Sequence, residues 1–155
     1  MDGLLEAGYD AVTVLDLSPA ALTAARRRLG GRAARVRWVV ADVLDAPLST
    51  AAYDVWHDRA VFHFLTGRAD RARYVAQTRR AVRPGGHLIV ASFAPEGPAR
   101  CSGREVARYT PEAMHARFGA GFRLLDSVRE DHQTPGGALQ AFVYFLCRVE
   151  ARHES

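Results

Sequence analysis

Short apolar runs rich in β-branched residues alternate along the chain with segments in which hydrophobic positions recur every three or four residues. The runs have the composition of buried strands, and the other segments have the periodicity of helices. The predicted strands span residues 10–17, 36–41, 53–57, 87–93, 122–130 and 138–149. The predicted helices span residues 19–29, 70–82 and 111–119. Strand and helix therefore alternate over most of the chain.

Local signals mark the ends of these helices. Ser18 and Thr110 each precede a proline, and a hydroxyl N-cap followed by proline is a favourable helix start. Glycines 30 and 31 end the first helix, and the Arg-Pro-Gly-Gly segment at residues 83–86 is predicted to break the second. The apolar stripe of the second helix contains Tyr74, Val75, Thr78, Ala81 and Val82.

The order of elements predicts an α/β fold. Alternating strands and helices form a parallel sheet with helices on both faces. Only the turn at residues 134–137 separates the last two strands, which is too short for a parallel crossover, so these strands form an antiparallel hairpin. We expect a single domain over residues 1–150 and a tail over residues 151–155.

Composition narrows the class of protein. The chain has 48% hydrophobic residues and no apolar run as long as the ~18 residues of a membrane span, and its N-terminus lacks the pattern of a secretory signal. We therefore expect a cytoplasmic protein without a membrane partner. The net charge is +4, but the arginines are dispersed, which argues against a nucleic-acid surface. Two cysteines fit neither a disulfide framework nor a metal site. The oligomeric state stays open.

Two of the predicted strands end in an aspartate. Asp16 ends the first strand before a capped helix, and Asp42 with Val43 follows the second. Ligands of open α/β sheets bind at the carboxyl ends of strands, where a carboxylate accepts from ribose hydroxyls or an adenine amino group. The alternative for each residue is a carboxylate that bonds only to its own turn.

A polar cluster ends the third predicted strand. His57, Asp58 and Arg59 are followed by His63 within an apolar segment. These residue types suit general acid/base chemistry or anion binding, whereas a metal site is a weak option because nothing fixes the donor geometry. A packing role for His63 is the alternative.

Five segments in order carry a family resemblance. They are LLEAGYDAVTVLDLSPAAL (4–22), VVADV (39–43), YDVWHDRAVFHFL (53–65), VRPGG with HLIVASF (82–93) and the terminal hairpin. Together they resemble class I S-adenosylmethionine (SAM)-dependent methyltransferases. The resemblance implies a Rossmann-like, mostly parallel sheet with an antiparallel C-terminal hairpin. It also implies an enzyme that transfers a methyl group from SAM to a small-molecule acceptor.

The resemblance also implies site residues. Asp16 would hold the SAM ribose hydroxyls with Leu17 beside the adenine, and Asp42 and Val43 would contact the adenine. His57 would lie with the cofactor contacts. By the same resemblance Asp58 would lie near the methionine end of SAM and the acceptor, and Asp58 and His63 are the candidate catalytic bases. Independently of the resemblance, the connection over residues 94–109 is long, which makes it a candidate lining of the acceptor site. Cys101 and His132 either face that site or are ordinary loop residues, and the second interpretation is favoured.

One family feature has no counterpart in the sequence. The glycine-rich loop that follows the first strand lies ~20 residues before the ribose acid, which places it at or before Met1. We therefore expect the first strand and the start of the first helix to be missing, as in a truncated gene product. The missing strand would be central, which leaves unpaired strand edges.

Two other functions stay open. The chain is a non-catalytic remnant or interaction module if it does not hold SAM. An acid after the second strand also suits an NAD-dependent oxidoreductase. The terminal hairpin and the Arg-Pro-Gly-Gly turn argue against the oxidoreductase.

Overall fold

A computed structural model describes residues 2–134 and 136–151 of the chain. The strands are β1 (Val12–Asp16), β2 (Val36–Val40), β3 (Tyr53–Arg59), β4 (Val82–Phe93), β5 (Arg100–Cys101), β6 (Arg104–Glu105), β7 (Phe122–Gln133) and β8 (Leu139–Val149). The α-helices are α1 (Asp2–Glu6), α2 (Pro19–Leu29), α3 (Arg68–Ala81) and α4 (Pro111–Phe118). Short 3₁₀ helices cover Gly30–Arg35 and Phe62–Phe64. The chain forms two compact units, one up to Pro47 and one from Leu48 onward.

The first unit contains α1, β1, α2 and β2. Strand β1 pairs in parallel with β2, from Val12 opposite Val36 to Asp16 opposite Val40. Its core contains Leu5, Leu29 and Val36, against which Val12, Val14, Ala33 and Trp38 pack. The predicted start of α2 is confirmed, because the Ser18 side chain accepts a hydrogen bond from the Ala21 amide and proline occupies the first turn.

The second unit contains a four-stranded mixed sheet in the order β3-β4-β8-β7. Strands β3 and β4 are parallel, whereas β8 is antiparallel to both β4 and β7. The α/β class and the antiparallel C-terminal hairpin are therefore confirmed. In the described part of the chain, β1 pairs only with β2 and β3 only with β4, so each keeps one edge without a strand partner.

One face of this sheet is buried under helices. Helix α3 packs against β4 and against α4, and α4 packs against β7 and β8. The predicted stripe of α3 points inward, since Tyr74, Thr78 and Ala81 have no exposed surface. The ring of Phe118 on α4 packs at centroid distances of 5.0 Å from Phe62 and from Phe145. Aromatic rings therefore pack between the helices and the sheet of the second unit.

The segment at residues 83–86 differs from the prediction. Strand β4 begins at Val82, directly after α3, so the Arg-Pro-Gly-Gly segment lies inside the strand. The register with β3 shifts there, from Tyr53 opposite Val82 to Val55 opposite His87. A Cβ on Gly86 would lie 2.8 Å from the Asp54 carbonyl oxygen, so close backbone approach requires glycine at this irregularity.

Two further features were not predicted. The connection after β4 contains the two-residue strands β5 and β6, which form a small antiparallel hairpin. Strand β7 is longer than expected, since it extends to Gln133. Position 135 of the predicted turn lies outside the described residues. Within residues 2–134 and 136–151, no helix is long and apolar enough to cross a membrane.

Candidate functional site

The two predicted binding carboxylates of the first unit share one edge of the β1–β2 sheet. Asp16 ends β1 opposite Val40, and the Ala41 amide donates to the Asp16 carbonyl oxygen at 3.2 Å. Asp42 follows two residues after Val40. The parallel pairing therefore brings the two carboxylates to neighbouring positions at the carboxyl ends of their strands, as the sequence predicted.

Each carboxylate uses one oxygen locally. Asp16 Oδ1 accepts from the Ser18 amide at 2.7 Å, and Asp42 Oδ1 accepts from the Leu44 amide at 2.9 Å. These are the bonds expected if each carboxylate only stabilises its own turn, which is the alternative to ligand binding. They leave the Oδ2 atoms of both residues without a hydrogen-bond partner among the described residues.

Apolar side chains adjoin these carboxylates in the sequence. Leu17 is 68% exposed, although a leucine in a folded domain is more often buried. Val43 is half-buried. A half-exposed carboxylate beside an exposed aliphatic side chain can accept from the vicinal hydroxyls of a sugar while the aliphatic group covers a flat ring.

Asp58 in the second unit has a different environment. Its side chain is 5% exposed and accepts three hydrogen bonds, from the amides of Val61 at 2.9 Å and Phe62 at 3.0 Å and from the Tyr74 hydroxyl at 2.5 Å. Burial raises the pKa of Asp58 to about 6, and the three hydrogen bonds oppose that rise. The carboxylate fixes the turn that precedes His63.

Tyr74 and Trp56 extend this buried network, and the sequence did not predict it. Trp56 Nε1 donates to the Tyr74 hydroxyl at 3.0 Å, and that hydroxyl donates to Asp58. Burial, followed by the charge of Asp58, raises the pKa of Tyr74 well above its ordinary value. The apolar stripe of α3 was the sequence signal that could have indicated this network, because Tyr74, the only tyrosine of that helix, lies on it.

His63 lies in the 3₁₀ turn after β3 and has no exposed surface. Neither ring nitrogen has a hydrogen-bond partner among the described residues. The ring centroid lies 4.5 Å from that of Phe64 and 4.8 Å from that of Phe93. Burial lowers the pKa of His63 to about 4, so the imidazole is neutral at pH 7.

His57 is not brought together with Asp58. Successive residues of a strand point to opposite faces, and Asp58 occupies the buried face while His57 is exposed. Desolvation, with a smaller effect of Arg59, lowers the pKa of His57. Its assignment to the cofactor stays a prediction. Across residues 2–134 and 136–151, no group of three acidic, cysteine or histidine side chains is placed to hold a metal ion.

The connection after β4 lies beside His63. The Ala107 amide donates to the His63 carbonyl oxygen at 2.8 Å. Cys101 is half-buried and packs against a cluster of Ala91, Phe93, Val106 and Phe142. The His132 ring lies 6.3 Å from the Phe142 ring. Cys101 and His132 thus adjoin the same cluster, and their contact with an acceptor stays a prediction.

The sequence of residues 2–90 matches a family described as a methyltransferase domain. A ubiquinone/menaquinone biosynthesis C-methyltransferase, UbiE, from Dinoroseobacter shibae is 34% identical over 82 residues. That similarity covers 52% of this chain and 32% of the relative, so the chain spans about a third of the relative's length.

Solved structures share the fold. A 1,6-didemethyltoxoflavin-N1-methyltransferase from Burkholderia thailandensis, with bound 1,6-didemethyltoxoflavin and S-adenosylhomocysteine, has a TM-score of 0.74 at 25% identity. The match covers 97% of this chain and 65% of that one. A SAM-dependent methyltransferase from Methanosarcina mazei has a TM-score of 0.77 at 13% identity, over 97% of this chain and 86% of that one.

Proposed function

This chain belongs to the methyltransferase domain family, and from that membership we propose that it transfers a methyl group from SAM to a small-molecule acceptor. The observation that carries the proposal is the pair of carboxylates at the carboxyl ends of adjacent parallel strands, within the matched residues. Two relatives support it. The Dinoroseobacter protein is named a C-methyltransferase of quinone biosynthesis, and the Burkholderia protein was solved with a small heterocycle and S-adenosylhomocysteine.

The residues of the first unit suit the nucleoside part of SAM. The Oδ2 atom of Asp16 is available to accept from ribose hydroxyls, and exposed Leu17 offers an apolar surface to the adenine ring. Asp42 keeps one oxygen for the adenine amino group, and Val43 adds apolar surface. We assign these residues to cofactor binding.

The second unit supplies the residues for the acceptor in this proposal. SAM, when bound, supplies an electrophilic methyl group on a sulfonium, and an acceptor hydroxyl or N–H loses its proton as the methyl bond forms. The three hydrogen bonds to Asp58 favour a positioning role for that carboxylate. Neither ring nitrogen of His63 has a hydrogen-bond partner among the described residues, so one of them can bond to the acceptor once the buried side chain becomes accessible. We therefore assign the contact with the acceptor to His63.

Replacement of Asp16 by alanine tests the cofactor site. Loss of the charge-assisted hydrogen bonds should weaken binding of S-adenosylhomocysteine at least about tenfold, as measured by isothermal titration calorimetry. Asp10→Ala is the matched control, because Asp10 is an exposed carboxylate of the same unit that precedes β1. Affinity that is equal in the Asp16 variant and the wild-type chain would contradict the role of Asp16. A wild-type chain that does not bind the nucleoside would contradict the proposed function itself.

A further inference from the structure

The buried imidazole of His63 lacks the hydrogen bonds that such a group normally makes. Its two ring nitrogens are without partners among the described residues although the side chain is fully buried. Most buried polar side-chain atoms in folded proteins have a partner, and an unpaired one is costly. A ligand that bonds to one of these nitrogens would remove that cost.

The aromatic residues around His63 indicate which kind of ligand would fit beside it. Phe64 and Phe93 lie against the imidazole, and Phe142 lies 4.8 Å from Phe93 in centroid distance. Tyr144 packs against the same cluster. Aromatic side chains favour flat rings through offset or edge-to-face contacts, and a neutral imidazole adds one directional hydrogen bond. This combination suits a flat aromatic molecule that carries a hydroxyl or N–H group.

The location also fits a ligand site. Phe93 is the last residue of β4, and its partner Phe142 lies in the first half of antiparallel β8. Both therefore lie at the carboxyl end of the parallel β3–β4 pair, the edge at which open α/β sheets bind ligands.

The β5–β6 hairpin lies beside the aromatic cluster, because Cys101 of β5 packs against it. The β5–β6 hairpin has two residues in each strand, and Arg104 at its second strand lies 5.3 Å from the Phe64 ring. Its turn contains Ser102 with a φ of 50°, a left-handed conformation that is unfavourable for serine. Isolated two-stranded hairpins are marginally stable, so displacement of the β5–β6 hairpin costs little compared with unfolding of the four-stranded sheet.

We propose that His63, Phe64 and Phe93 bind a flat aromatic methyl acceptor that donates a hydrogen bond to the His63 imidazole after the β5–β6 hairpin moves aside. The identification of the ligand as a methyl acceptor rests on the proposed function. The ring-binding site itself rests on the contacts within the second unit.

Binding of two naphthalene probes tests the site. 2-Naphthol has a hydroxyl proton to donate, and 2-methoxynaphthalene has the same ring without it. We expect the wild-type chain to prefer 2-naphthol about tenfold, the worth of one net hydrogen bond. His63→Phe should abolish this preference, whereas His87→Phe, at a half-buried histidine in the first half of β4, should retain it. Titrations followed by NMR give both dissociation constants.

A second measurement does not depend on how well the variant folds. The imidazole nitrogen signals of His63 in the wild-type chain should shift on addition of 2-naphthol and shift less with the methoxy probe. Failure of the wild-type chain to bind either probe, or a preference that persists in folded His63→Phe, would overturn the inference. Unmoved His63 signals at saturating 2-naphthol would overturn it as well.

Titration of the same sample with S-adenosylhomocysteine separates the two proposals. Nucleoside binding without a preference for 2-naphthol overturns the ring site and leaves the proposed function in place. A His63-dependent preference without nucleoside binding supports the ring site and overturns the assignment of its ligand as a methyl acceptor.

Discussion

Asp16 and Asp58 occupy equivalent places in the sequence, yet the structure gives them opposite environments. Each lies at or next to the last residue of a parallel strand and precedes a helical segment. Asp16 is half-buried and accepts one hydrogen bond, whereas Asp58 is 5% exposed and accepts three. From this difference we expect a strand-end carboxylate to serve as a ligand group or as a structural group according to the partners already bonded to it. Replacing each in turn tests this distinction.

The largest expected effect is the loss of stability in Asp58→Ala. Removal of this carboxylate leaves two backbone amides and the Tyr74 hydroxyl without their acceptor in a buried site. We expect the free energy of unfolding to fall by about 3 kcal/mol. Asp16→Ala should lose less than about 1 kcal/mol, because only the Ser18 amide loses its partner and water can replace it.

Urea denaturation followed by circular dichroism measures both variants. Equal losses in the two variants would remove the distinction between a structural and a ligand carboxylate. A loss in Asp16→Ala larger than in Asp58→Ala would reverse it.

The next effect concerns pH, and it separates Asp58 from its neighbour His63. Because the pKa of Asp58 is raised to about 6, the folded state holds its proton more tightly than the unfolded state. The contribution of Asp58 to the free energy of unfolding is therefore fully present below pH about 4 and is lost as the pH rises through about 6. Because the pKa of His63 is lowered to about 4, the unfolded state binds its proton more tightly, and stability rises between pH about 4 and 6.5.

We expect these two slopes to offset each other in the wild-type chain. In Asp58→Asn only His63 should contribute, so the free energy of unfolding should rise with pH. In His63→Phe only Asp58 should contribute, so the free energy of unfolding should fall with pH. Each change should amount to roughly 1–3 kcal/mol over this range. Urea unfolding at several values between pH 4 and 7 measures the slopes. Variants whose stability follows the wild-type pH profile would contradict the opposed titrations.

The sequence predicted the strands, the helices and the terminal hairpin because apolar periodicity and capping residues are local signals. It also placed Asp16 and Asp42 together, since parallel strands bring their carboxyl ends to one edge. It did not predict the Tyr74–Asp58 bond, which joins residues 16 positions apart and depends on how α3 is rotated over the sheet. The β5–β6 hairpin was missed because two-residue strands carry no periodic pattern.

The smallest effect is expected at Leu17. It tests whether this exposed side chain at the end of β1 contacts the bound nucleoside. Leu17 is 68% exposed, so Leu17→Ala should change the free energy of unfolding by less than about 0.5 kcal/mol. If the side chain covers the adenine ring, the variant loses apolar contact only in the complex, and its affinity for S-adenosylhomocysteine should fall about fivefold. Leu4→Ala is the control, because Leu4 is an exposed leucine of the same unit that lies in α1. Calorimetric affinities that are equal in both variants would show that Leu17 is exposed for a reason other than nucleoside binding, and the cofactor assignment would then depend on the carboxylates alone.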